Sequence, residues 1–218
     1  MNKALILTGF AVFALNLQAG TIYTNFGPGD TYQAASGAVV VSGGIDQRPS
    51  FSFISDIDQL LTQVDFVASV DQSNTSNNSI TVTLSSDNGG APGTVIASQT
   101  FTNSLGIRGS VETPPTILSW LPTVAPSLVA QNQYWITFDS PGDPAQGDVF
   151  WNFNTEGAFG YSSFSNGQWT STSNTLGAIR LVSGSPSESG TPEPGTLVLI
   201  ASGIGAFFGR RRFLFLLA

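Results

Sequence analysis

The sequence predicts an all-β fold, an antiparallel β-sandwich of jelly-roll-like type, with an N-terminal signal helix and a C-terminal transmembrane helix. Three observations carry this expectation. About ten short apolar runs between residues 20 and 183 have the period of two that a half-buried strand requires. Clusters of Gly, Pro, Asn and Asp separate them, and a single apolar stretch closes each end of the chain.

The first element is the leader. Met1-Asn2-Lys3 is a short positive start, Ala4 to Leu15 is almost wholly apolar, and Leu17-Gln18-Ala19 places a small residue where a signal peptidase cuts. Residues 1–19 therefore read as a signal peptide, with the mature chain beginning at Gly20.

The second element is the sandwich, residues 20–183. Val64, Phe66, Ala68 and Val70 alternate with Asp65, Val67 and Ser69, and Ile80, Val82 and Leu84 alternate with Thr81 and Thr83. Similar runs occur at 38–41, 51–54, 94–101, 117–121, 134–138, 149–153, 159–164 and 176–182. Asn166-Gly167 lies between Tyr161–Phe164 and Gln168–Thr170, and both turn residues tolerate a positive φ, so this segment predicts a tight hairpin. Outside the two terminal segments, no stretch keeps an apolar 3.6 period long enough to predict a helix. About ten strands in one unit fit a two-sheet sandwich.

The last elements are a Ser/Gly/Pro linker at 184–191 and a tail at 192–218. Pro192-Glu193-Pro194 withholds two backbone donors and favours extended conformations, which keeps the segment out of helix and sheet. Residues 196–208 are apolar, and as a helix they span roughly 20 Å against a hydrocarbon core of about 30 Å. Arg210, Arg211 and Arg212 follow, and the positive-inside rule places such a cluster in the cytoplasm.

This order of Pro-Glu-Pro, short apolar segment and terminal arginines resembles the PEP-CTERM sorting signal of Gram-negative bacteria. The resemblance covers 192–218 and implies a sorting motif formed by Pro192, Glu193, Pro194, Arg210, Arg211 and Arg212. It also implies recognition and processing by an exosortase, transient anchoring in the inner membrane, and delivery to the cell surface or beyond. The apolar residues 213–218 after the arginines depart from tails that stop sooner. In the core, the passage from Val82 to Thr94, the strand Gln133–Ile136 and the run from Gly160 to Arg180 are similar to the choice-of-anchor domains of surface proteins. That resemblance implies a β-sandwich at a surface and carries no catalytic residues.

Composition narrows the chemistry. With no Cys and no His there is no disulfide, thiolate nucleophile, Ser-His-Asp machinery or imidazole ligand. From Gly20 to Pro194, three arginines against fourteen carboxylates leave a formal charge of −11, which repels nucleic acid. No cofactor is expected and the core is not expected to be an enzyme. Glu112 and Glu156, the only glutamates of the core, would have to carry a hydrolase, the third-ranked reading. The leading reading is a structural or binding sandwich, with exopolysaccharide binding as the alternative.

Seven aromatics lie between Phe150 and Trp169. Most read as core, because Trp151 and Phe153 share one face at strand spacing, whereas Phe150 lies on the other face and is expected to be exposed. Trp120, Phe150 and Trp169 are the candidate ligand-binding aromatics. Asp139, Asp143 and Asp148 form a weak calcium candidate in a Pro/Gly-rich stretch, where solvated turn aspartates are the plainer reading and no metal is expected.

Overall fold

A computed structural model describes residues 20–42, 45–71, 78–141 and 147–184 of the chain. The signal helix at 1–19, the linker from 185 and the tail with its transmembrane segment lie outside the described residues. Among the described residues every regular element is a strand, and no helix is long and apolar enough to cross a membrane.

The strands form two sheets. One contains β1 (Gly20–Thr24), β2 (Tyr32–Ser42), β3 (Ile45–Asp46), β5 (Gln59–Val70), β8 (Gly106–Ile107), β9 (Ile117–Trp120), β10 (Ser127–Leu128), β12 (Val149–Asn154) and β15 (Ile179–Gly184). The other contains β4 (Pro49–Ile54), β6 (Ser79–Asp87), β7 (Pro92–Thr102), β11 (Gln133–Asp139), β13 (Phe159–Ser165) and β14 (Gln168–Thr175). The first sheet runs β1-β15-β5-β12-β2-β3, with β8, β9 and β10 also paired to β5, and the second runs β14-β13-β4-β11-β6-β7. Among the described strands the chain changes sheet eight times: between β3 and β4, β4 and β5, β5 and β6, β7 and β8, β10 and β11, β11 and β12, β12 and β13, and β14 and β15. All described pairs are antiparallel except β5 with β8.

The core lies between the sheets because each strand turns its apolar set inward. Phe51 and Phe53 of β4, Ile80, Val82 and Leu84 of β6, and Tyr134, Ile136 and Phe138 of β11 meet Val64, Phe66, Ala68 and Val70 of β5. The aromatic members bridge the layers: Phe138 lies 4.5 Å from Trp151 and 5.1 Å from Phe66 between ring centroids. Trp151 is fully buried and its indole N–H donates to the Ala178 carbonyl at 3.0 Å. Gly177 crosses this ring so closely that an added Cβ would overlap the indole carbons of Trp151, so the position has no room for a side chain.

All ten predicted runs fall on strands. The Asn166-Gly167 turn has φ values of 52° and 80°, the left-handed pair that a two-residue hairpin needs. Strand β15 begins at Ile179 and not at Leu176, because residues 176–178 are spent crossing Trp151 and bonding the ends of β12. The short strands β1, β3, β8 and β10 have too few residues for a readable alternation.

Strand β5 is the hub, since residues 64–66 are bonded to β15 on one edge and to β9 on the other. Asp65 sits in this doubly paired stretch, buried at 1% exposure. Its carboxylate accepts from Arg180 Nε at 2.8 Å, Ser119 Oγ at 2.6 Å and Gln63 Nε2 at 2.7 Å. Arg180 also reaches Asp30 at 2.7 Å. Burial acts to lower the pKa of Arg180, but the bonds and charges of Asp65 and Asp30 outweigh it and raise the pKa above its ordinary value. Removing one partner of such a pair strands the other charge. Asp65→Ala is therefore expected to cost about 3–5 kcal/mol in urea unfolding, and the paired Asp65→Leu/Arg180→Met replacement markedly less.

Candidate functional site

The outward face of the second sheet is built by the same alternation that builds the core. Tyr134, Ile136 and Phe138 point inward, so Trp135, Thr137 and Asp139 point outward, and Ser50 and Ser52 do the same between the inward Phe51 and Phe53 of their strand. Trp135 is flanked across the sheet by Ser52 on β4 and Ser85 on β6. The indole is buried at 4% exposure. Its N–H donates to Asp87 Oδ1 at 2.7 Å. Ser50 donates to Thr137 at 2.8 Å, and Thr81 and Thr100 share a hydrogen bond of 2.8 Å, so the face is covered with ordered hydroxyls.

A cleft opens where β13 leaves β4. The two strands pair only at Ser162–Ser50 and Ser163–Pro49, and a register shift between Phe159 and Tyr161 bends β13 at Gly160, whose φ is 90°. The resulting space of about 350 Å³ is lined by Ser50, Ser52, Trp135, Phe159, Tyr161 and Ser171, among others. Phe159 is 67% exposed at its rim. The lining carries aromatic surfaces and hydroxyls and no charged side chain, an arrangement suited to a neutral, hydroxyl-rich ligand.

Of the three aromatics expected to meet a ligand, the structure leaves one at the surface. Trp169 is half-buried on β14 and packs on Phe164 at 5.2 Å, with the Arg48 guanidinium 5.3 Å from the Phe164 ring. Trp120 is buried, because its register opposite Val64 turns it into the core. Phe150 does lie on the opposite face from Trp151, but it is buried too: Arg108 stacks 3.7 Å above its ring and is held there by Asp71 at 2.8 Å. Single-strand alternation gives the face of Phe150 and cannot show an arginine arriving from 42 residues away.

Asp139 lies 3.5 Å from Arg48 Nε, and the Asp148 carbonyl accepts from the Asp71 amide at 3.0 Å. Asp143 lies outside the described residues, as do Pro192, Glu193, Pro194 and Arg210 to Arg212. Among the described residues no three His, Cys, Asp or Glu side chains are grouped to hold a metal ion. Glu112 and Glu156 occupy separate loops, the first in the turn at 110–113 and the second between β12 and β13.

Sequence reasoning placed Trp135 only within a strand and did not single out Phe159. The available signal was a tryptophan on the polar side of β11, in step with Gln133, Thr137 and Asp139. The hydrogen bond from Trp135, together with those from the 89–90 backbone, holds the Asp87 carboxyl below its ordinary range. A depressed carboxyl stabilises the fold above its ordinary pKa, and that contribution is lost as pH falls through the lowered value. The stability gap between wild type and Asp87→Asn should therefore be present at pH 6 and shrink toward pH 2, as read from urea midpoints at the two pH values.

Comparison with known proteins bears on the tail. No curated protein matches the chain. A family model described as the PEP-CTERM protein-sorting motif matches residues 191–212, which contain Pro192, Glu193, Pro194 and the three arginines. The chain thus carries a PEP-CTERM sorting motif behind a β-rich core, and that motif implies an exported protein recognised by an exosortase.

Proposed function

We propose that this protein is a surface or extracellular-matrix component of a Gram-negative bacterium, anchored transiently in the inner membrane and released by an exosortase, whose sandwich acts by binding or as a structural unit and not as an enzyme. The motif at 191–212 is the observation that carries this reading. Residues 196–208 are its membrane segment, with Arg210 to Arg212 on the cytoplasmic side. Cells lacking the exosortase are expected to retain the unprocessed protein in the membrane, and wild-type cells to release a product whose intact mass lacks the tail. A released wild-type product with residues 196–218 intact overturns the reading.

A second reading is supported by the cleft beside Trp135: the sandwich binds the neutral sugars of an exopolysaccharide. Phe159 supplies an exposed ring face, and Ser50, Ser52 and Ser171 supply hydroxyls, the two kinds of contact that a pyranose ring uses. Phe159→Ala is expected to weaken polysaccharide binding about tenfold in pull-down titrations, a loss of roughly 1.4 kcal/mol. Unchanged binding in both Phe159→Ala and Trp169→Ala removes the aromatic basis of this reading.

A further inference from the structure

Exposed aliphatic side chains are distributed unevenly over the sandwich. Strand β4 ends at Ile54, loop 55–58 leads into β5 and 129–132 leads into β11, so these two loops share one end of the domain, and 121–126, which joins β9 to β10, runs toward that end along β5 from the level of Val64 to that of Leu60. Backbone hydrogen bonds from Ser55 to Asn132 and from Gln131 to Ser55 tie 55–58 and 129–132 together. This end exposes Ile54, Ile57, Leu121, Val124 and Val129, with Ile57 at 56% and Val124 at 81%. The opposite end, reached by Val41, Val70 and Val149, exposes Ile45 and Val111.

The chain also leaves the domain at the aliphatic end. Gly184 pairs with Leu60 at the start of β5, and Gly20 pairs with Ser183, so both ends of the described domain emerge beside loop 55–58. Eleven residues separate Gly184 from Thr196, the first residue of the apolar tail segment. A flexible coil of that length spans about 20 Å root-mean-square, and the extended form that its three prolines favour spans about 35 Å, against the roughly 40 Å length of the twelve-residue β5. A tail held in a bilayer therefore keeps this end of the sandwich, and not the other, within reach of the lipid surface. A short tether raises the local concentration into the millimolar range, which makes a weak apolar contact effective.

We propose that the aliphatic end of the sandwich docks into the interfacial layer of the membrane that holds the tail, through Ile57, Val124 and their neighbours. The proposal rests on the anchored-tail reading above. Loops 55–58, 88–91, 121–126 and 129–132 contain Asp56 and Asp58 but no Lys or Arg, so the contact is apolar and favours neutral over anionic lipid. Single exposed aliphatics give only marginal binding without a second attachment. Removal of the tail therefore releases the docked end together with the anchor.

The absence of cysteine permits a direct test on the full chain. Single cysteines at Ile57, Val124 and the distal Val111, which is 94% exposed, are labelled with a polarity-sensitive dye, and the protein is reconstituted in phosphatidylcholine vesicles. The dye at 57 and 124 is expected to shift blue and to be quenched at least threefold more by shallow spin-labelled lipid than the dye at 111. That difference should narrow when a third of the lipid is phosphatidylglycerol. If the protein floats with the vesicles but the three positions are quenched alike, anchoring stands and docking is overturned. Failure to float overturns the anchored tail and docking with it. Protection at 57 and 124 only when exosortase is present assigns this end to the enzyme and overturns the lipid contact.

Discussion

Asp65 fixes the architecture from inside the longest strand. A carboxylate at 1% exposure is stable only with a cation and hydrogen-bond donors in place, and here they come from three elements: Arg180 on β15, Ser119 on β9 and Gln63 on β5 itself. Because β15 and β9 occupy the two edges of β5, the same group that requires compensation sets the register of both neighbours. A slip of two residues along either strand would keep the apolar pattern and leave Asp65 unpaired, so the charge specifies what hydrophobic alternation leaves degenerate. Asp30 extends the constraint to the loop between β1 and β2, which Arg180 holds against the sheet.

The second sheet divides its labour by face. Inward positions on β4, β6 and β11 are aromatic or branched aliphatic, and outward positions are mostly serine and threonine, with Trp135 at the centre and Ile54, Asp87, Gln133 and Asp139 toward the strand ends. Several of these hydroxyls are themselves buried and hydrogen-bonded, as Ser50 is to Thr137, and the Trp135 indole is buried among them with its N–H on Asp87. The departure of β13 from β4 at Gly160 opens the cleft beside it. The cleft is thus a local failure of strand pairing, with the core beneath left intact.

Much of this was legible in the sequence because period-two alternation is a local property. The ten runs, the Asn166-Gly167 hairpin and the separation of Phe150 from Trp151 all follow from neighbours within a few positions. The environment of Phe150 did not follow, since the arginine that buries it belongs to the turn after β8. The setting of Trp120, buried in the core yet lining a space of about 540 Å³ with Ile96 and Val124, did not follow either, because a four-residue strand offers too few positions to show which side faces the core. The cleft was illegible because a splay between two strands is a property of their pairing and of neither strand alone. The sorting motif lay at the other extreme: an ordered set of residues in a contiguous tail, readable without any fold.

The pairing of Gly20 with Ser183 orders events in time. The Gly20 amide donates to Ser183 Oγ at 3.3 Å across 163 positions, and β1 has its described strand partner in β15 alone. During synthesis the first strand of the domain is made long before the strand it must join. Closure costs chain entropy that no earlier contact of β1 offsets, so the sheet cannot finish until the ribosome has passed Gly184. A polypeptide whose last strand completes its first leaves that edge of its sheet open until synthesis is nearly done.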